Sequence, residues 1–166
     1  MSHWTDLFKE YPELFFDALD KRVSQAKAEV DFLLKCLHKH GFKTQSVLDL
    51  NCGIGRHSIE LGKRGITVLG TDLSPHYIDV AKKRSENEEV AKIVRFKVAD
   101  MRKIASSLRG QRFDGIINLF TSFGYYDDDT NNDILRQCGS LVRPKGFFAL
   151  EIMNRDWLVR NFQPRD

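Results

Sequence analysis

The residues whose types and spacing could do chemistry begin at 46–58, which reads SVLDLNCGIGRHS. Val47, Leu48 and Leu50 make a short apolar run around one carboxylate, Asp49, and Asn51, Cys52, Gly53 and Gly55 follow. An apolar strand that ends in glycines and feeds a helix points backbone N–H groups outward, and glycine has no Cβ to hold a ligand off. Asp72 stands nineteen residues after Gly53 (72 − 53), at the end of a second apolar run. A carboxylate there can accept hydrogen bonds from both hydroxyls of a ribose, each contributing roughly 1.5–3 kcal/mol. Asp100 ends a third run, where it can receive the amino group of an adenine. Met101 beside it can lay its thioether on the ring and offer its backbone N–H to a ring nitrogen. Asp49, enclosed by apolar neighbours, needs partners; it reads as a group that orders the glycine loop or meets a ligand ammonium. The pattern points to an adenine-bearing cofactor.

Holding these groups on one rim takes alternating strands and helices. Strands are predicted over 46–51, 67–71, 94–99, 113–119 and 147–153. Helices are predicted over 56–64, closed by Gly65; over 74–87, with Ser74 as N-cap and Pro75 in the first helical position; and over 130–142. A polar connector covers 102–111, a loop 120–129, and Arg143-Pro144-Lys145-Gly146 a turn. Ahead of the first strand, Val23, Ala26, Val30, Leu33, Leu34 and Leu37 recur at helical steps across 20–40, and Gly41 follows as a C-cap glycine. Residues 1–19 carry Trp4, Phe8, Tyr11, Phe15 and Phe16 and are divided by Pro12. They read as an N-terminal helical cap ahead of a domain over 20–166, either packed on the core or serving as a flap over a ligand pocket. Apolar strands alternating with helices give an α/β fold with a doubly wound, mostly parallel sheet, and a crevice at the C-terminal ends of strands one and four.

A chain of 166 residues with 42% hydrophobic residues is one domain with a real core. Lys+Arg at 26 against Asp+Glu at 23 gives a net charge of +3, spread along the chain, which offers nucleic acid no basic block. Cys36, Cys52 and Cys138 are far apart and form no CxxC pair, so neither a disulfide framework nor a metal site is expected. With no signal-like N-terminus and no run of membrane-spanning length, the expectation is a cytoplasmic protein with no membrane contact.

Two cofactor classes use such a rim. A dinucleotide site would want G-x-G-x-x-G, but Ser58 holds the third position. The wider pattern is VLDLNCGIGRHS, GTDLS with Asp72, VADM with Asp100, FDGIINLFTSFGYY and LVRPKGFFALEI, in that order. Over about residues 44–153 this resembles the class I S-adenosylmethionine-dependent methyltransferases. EVDFLLK before the glycine motif and GRHSIEL after it look like a group of small prokaryotic and archaeal members of that family. The resemblance implies S-adenosylmethionine as cofactor and S-adenosylhomocysteine as product. By it, Asp49, Gly53 and Gly55 would line the methionine part, with Asn51 among the contacts. Asp72 would bind the ribose with Leu73 beside it, Asp100 and Met101 the adenine, and Leu119 and Phe120 would border the sulfonium end.

A methyl group on a sulfonium is already electrophilic, so the protein mainly has to align a nucleophile and exclude water. No Ser/His/Asp or metal-ligand spacing is present. His57 and His76 stand near the rim and read first as helix-surface histidines, with a base as the alternative. The acceptor side is the 120–126 loop, where Phe123, Tyr125 and Tyr126 could enclose a small acceptor or simply pack the loop. It lacks the (D/N)PP(Y/F) run of DNA amino-methyltransferases, which disfavours nucleic acid. The resemblance also implies two strands beyond the fifth that this chain lacks. Strand five is then expected to be an exposed apolar edge open to self-association. An NAD(P)-dependent oxidoreductase and a non-catalytic cofactor-binding fragment that needs a partner are the rival readings.

Overall fold

The computed structural model describes residues 4–163. Residues 1–3 of the predicted cap, residues 164–166 of the predicted domain and the Trp4 side chain lie outside the described residues. A five-stranded sheet in the order β3-β2-β1-β4-β5 carries the chain. The strands are β1 (Ser46–Leu50), β2 (Thr67–Asp72), β3 (Val94–Val98), β4 (Phe113–Asn118) and β5 (Val142–Leu150), and every pairing is parallel. Alternate residues serve opposite faces of a strand. Val47 and Ile117 belong to one core cluster, with Val30, Ile59 and Ile78; Leu48 and Ile116 belong to the other, with Ile104, Ile134 and Leu141. The first face is covered by α3 (Ala26–Lys39), α4 (Arg56–Gly62) and α5 (Pro75–Asn87), the second by α6 (Ile104–Ser107) and α7 (Asp128–Leu141). Chain order reverses between β1 and β4, and the loops after those strands open the crevice predicted from the sequence.

The helix ends follow local chemistry. Ser74 Oγ accepts the Tyr77 N–H and Pro75 occupies the first position of α5. At the end of α3 the Gly41 N–H reaches the His38 carbonyl at 3.0 Å and the Phe42 N–H reaches that of Leu37 at 3.0 Å, with Gly41 at φ 75°. Asp127 caps α7 by accepting the Thr130 N–H at 2.9 Å, which starts that helix two residues before the predicted position.

Three expectations are corrected. The helix predicted over 20–40 is two pieces: α2 (Glu13–Asp20) ends, a 3-10 turn covers Val23–Gln25, and α3 starts at Ala26. The Arg22 carbonyl accepts the Gln25 N–H at 3.1 Å, the bond of the 3-10 turn, and Arg56 Nη1 at 3.4 Å. The connector over 102–111 contains a 3-10 turn (Met101–Lys103) and α6, which bury Ile104 and Leu108 completely. Strand five begins at Val142 and ends at Leu150, so the predicted 143–146 turn is an irregularity inside it, with the register shifting between Phe113 and Gly115 and Lys145 at φ 62°. As expected, β5 is an edge strand, and Leu150, Ile152 and Met153 are exposed there. Pro12 separates α1 (Trp4–Glu10) from α2, and α8 (Arg155–Asn161) follows the sheet.

Candidate active site

Above the C-terminal ends of β1, β2 and β4 lies a cavity of about 370 Å³. Asn51, Gly53, Asp72, Leu73, Asp100, Met101, Leu119, Phe120, Tyr125 and Tyr126, all predicted site residues, line it. The α1–α2 layer closes it with Phe8, Phe15, Ala18 and Leu19, so the aromatic segment forms a wall of the pocket. That layer is tied down by the Tyr77 hydroxyl, which donates to the Pro12 carbonyl at 2.7 Å, and by an Arg84–Asp20 ion pair.

The glycine loop and the second-strand acid form one unit. Asp72 Oδ2 accepts the Gly53 N–H at 2.8 Å and Oδ1 accepts the Ser74 N–H at 2.9 Å. Burial raises the Asp72 carboxyl above the usual carboxylate range, against the pull of these backbone bonds. A carboxylate offers about four acceptor sites, so capacity for a ligand remains. Asn51, at φ 60°, donates through Nδ2 to the Ser122 carbonyl at 2.7 Å and to Met101 Sδ at 3.0 Å, joining the loops after β1, β3 and β4.

Three predicted residues stand elsewhere. Gly55 does not line the cavity: at φ 78° it takes the start of α4 so close to the sheet that a Cβ would lie 2.7 Å from Phe96 Cζ and 2.9 Å from Ala81 Cβ. Its glycine serves packing. Gly53 differs, since a Cβ there would meet only Leu19 of the covering layer, at 3.6 Å. Asp49 is sealed beneath the loop, where it accepts the Ser58 hydroxyl at 2.6 Å, and burial pushes its carboxyl up to about 7. It can act only through what it holds. Ser58, in the place of a third dinucleotide-motif glycine, is thus occupied by that bond. Phe123 packs on the second core cluster instead of the cavity. Asp100 lines the cavity, but both its oxygens are bound by Arg102, the shortest contact being Nη2–Oδ2 at 2.6 Å. Burial alone would raise this carboxyl, and the Arg102 bonds overcome it and hold it below its ordinary value.

Sequence reasoning missed a second group in the wall. His57 is 4% exposed and lines the cavity, where a helix-surface position was expected; His76 is the exposed one. His57 Nε2 lies 2.7 Å from Glu29 Oε2, and Arg56 Nη1 pairs with the same oxygen. Burial, reinforced by Arg56, lowers the imidazole to about 4 against the raising pull of Glu29. Arg56 and Arg22 stack on the Phe120 ring, at 5.2 and 4.6 Å from its centroid. Phe120 and Thr121 both hold left-handed backbone, at φ 62° and 56°, anchored by the Phe120 N–H to Glu151 Oε2 at 3.0 Å and the Thr121 N–H to the Glu151 carbonyl at 3.2 Å. A signal was available: Glu29 shares the face of α3 that buries Ala26 and Val30, and a carboxylate on an apolar face needs a partner.

Comparison with known proteins bears on the family and the fold. The chain is 31% identical over 155 residues to glycine/sarcosine N-methyltransferase of Parasynechococcus marenigrum (strain WH8102), covering 91% of this chain and 53% of that one. It is 29% identical over 119 residues to a ubiquinone biosynthesis O-methyltransferase of Acinetobacter baylyi, covering 72% and 48%. The chain therefore spans about half the length of the curated relatives it matches. An S-adenosylmethionine-dependent methyltransferase from Clostridium acetobutylicum superposes with a TM-score of 0.73 at 18% identity, covering 92% of this chain and 59% of that one. A likeness at that identity is one of fold. Residues 47–146 match the family described as "Methyltransferase domain", and the chain belongs to that family, the class I S-adenosylmethionine-dependent methyltransferases.

Proposed function

We propose that the chain binds S-adenosylmethionine in this cavity and transfers its methyl group to a small-molecule acceptor by in-line displacement. The observation that carries the reading is the Asp72–Gly53 unit, which sets a charged acceptor and an open glycine on one cavity wall. The ribose hydroxyls would use the remaining lone pairs of Asp72, with Leu73 beside them. The adenine would lie against Met101, its amino group sharing Asp100 with Arg102. Gly53 and Asn51 would border the methionine part, with Asp49 acting from beneath through Ser58, and Leu119 and Phe120 would face the sulfonium. The cofactor supplies an activated methyl group; these residues bind, orient and exclude water.

Names of similar proteins support a small acceptor, since they include glycine and sarcosine, ubiquinone biosynthesis and an amino pentose. Residues 4–20 act as the cover of the domain that follows. The described residues contain no helix long and apolar enough to cross a membrane, and the three free cysteines fit a reducing compartment such as the cytoplasm. The open edge of β5 would support self-association, which light scattering would register as a doubled mass.

Calorimetric titration with S-adenosylhomocysteine, paired with NADH, tests the cofactor. S-adenosylhomocysteine is expected to bind and NADH is not. A folded chain that bound NADH alone would overturn the reading.

A further inference from the structure

Beside Phe120, the wall of the cavity holds Arg56 and His57, both paired to Glu29 of α3 outside the lining, a group that cofactor binding as proposed above does not use. Resting on that methyl-transfer reading, we infer that His57 Nδ1 takes the proton shed by an N–H or O–H acceptor, and that Glu29, bound at Nε2, is the positioning residue that keeps the Nδ1 lone pair toward the cavity.

The geometry fixes the tautomer. A carboxylate only accepts hydrogen bonds, so at 2.7 Å from Glu29 the ring nitrogen Nε2 must carry a proton. In the neutral ring the lone pair then sits on Nδ1. Nδ1 meets no hydrogen-bond partner among the described residues, yet it is not one of the polar atoms sealed away from open space. The ring is buried and lines the cavity, and on the proposed assignment it is Nδ1 that faces it. Glu29 cannot easily swing away, because Arg56 Nη1 holds the same oxygen. Burial and the adjacent Arg56 charge keep the ring neutral near pH 7, so the lone pair is available.

The step leaves a proton to be placed. When the acceptor's lone pair forms its bond to the methyl carbon, the carbon–sulfur bond breaks with its electron pair left on sulfur, and a hydroxyl, or an amine that enters as its ammonium, must lose one proton. Delivered to Nδ1, that proton makes an imidazolium faced by Glu29 at contact and by Glu151 at longer range, with Arg56 opposing. One positive charge enters the site on sulfur and one remains on the ring, so the site's net charge is unchanged. The inference narrows the acceptor to amines and hydroxyls that carry a proton. A tertiary amine or a thioether would gain nothing from the pair.

The test starts with the ring itself. In chain labelled with ¹⁵N-histidine, two-bond ¹H–¹⁵N correlation at pH 7, with His57 assigned by its loss in His57→Asn, should show a neutral ring protonated on Nε2. In Glu29→Gln the fixed tautomer should be lost. A ring protonated on Nδ1, an imidazolium at pH 7, or no response to Glu29→Gln would each overturn the inference. Transfer of labelled methyl to glycine, sarcosine and catechol is then compared between wild type and His57→Asn. The variant should lose at least about tenfold in kcat while binding S-adenosylhomocysteine as before. Unchanged kcat refutes the role. A wild-type chain that binds S-adenosylhomocysteine but methylates none of the three counts against the methyl-transfer reading, and the ring measurement still decides the pair.

Discussion

The two glycines of the loop are expected to fail in different ways when each is replaced by alanine. At Gly55 an alanine would hold left-handed backbone, which costs about 1–2 kcal/mol. Its Cβ would also stand 2.7 Å from Phe96 Cζ and 2.9 Å from Ala81 Cβ, both in the core, and overpacking of this kind costs about 1–3 kcal/mol. The sum, about 2–5 kcal/mol, should lower Tm by about 2–4 °C for each kcal/mol in a chain of this size. At Gly53 the backbone penalty is similar, but the new methyl meets only Leu19, at an ordinary 3.6 Å. Gly53→Ala should therefore lose no more than about 2 kcal/mol of stability. It places a methyl group where the ligand approaches, and should weaken S-adenosylhomocysteine at least about tenfold, or 1.4 kcal/mol. Thermal unfolding and calorimetric titration of both variants separate the roles. A Gly55→Ala chain as stable as wild type, or a Gly53→Ala chain with undiminished affinity, would refute the reasoning.

Further outcomes follow from the same contacts. Asp72→Asn keeps one acceptor oxygen but loses the charge and turns an amide N–H₂ toward backbone donors; S-adenosylhomocysteine affinity by calorimetry should fall on the order of 10- to 100-fold. Asp49 has a carboxyl raised to about 7 from 3.8, so the stability it contributes is fully present below about pH 4 and is lost as pH rises through 7. Asp49→Asn, followed by urea unfolding between pH 4 and 8, should gain on wild type as pH rises, by an amount on the order of 2–4 kcal/mol at pH 8; a gap that shrinks with pH would contradict the burial argument. Tyr77→Phe removes the bond to the Pro12 carbonyl, and should loosen residues 4–20 by about 0.5–1.5 kcal/mol, read as faster amide exchange there and not in β1.

Much of the frame was legible because it is written in local chemistry. Ser74-Pro75, Gly41, Gly65 and the first four apolar runs each depend on neighbours a few residues away, and each stands where the pattern put it, to within a residue. What escaped depends on contacts across the chain. The break at 21–25 leaves helical periodicity almost intact, since a 3-10 turn displaces the apolar stripe little. Gly53 and Gly55 are indistinguishable as letters, and differ only because Phe96 of β3 packs under one of them. His57 read as surface because its partner Glu29 is 28 residues earlier, on another helix. Asp100 was legible as a rim acid, but its engagement by Arg102 was not.

The same contrast bears on how a ligand could enter. The rim is built on strands whose residues are among the most buried in the chain, and its loops are cross-linked by Asn51 and Asp72. The cover is built differently: α2 buries none of its residues fully, although Phe15, Ala18 and Leu19 close the cavity. Its attachments to the body include one Tyr77 hydrogen bond, one Arg84–Asp20 ion pair that is partly solvent-exposed, and the Phe8–Tyr125 ring contact at 5.8 Å. An exposed ion pair contributes less than about 1 kcal/mol and a single hydrogen bond about as much, so lifting this layer costs far less than disturbing the sheet. Entry by displacement of residues 4–20 over an unmoved rim is the cheaper route. It requires that S-adenosylhomocysteine slow amide exchange in residues 4–20 far more than in β1, β2 and β4, and comparable protection across the sheet would exclude it.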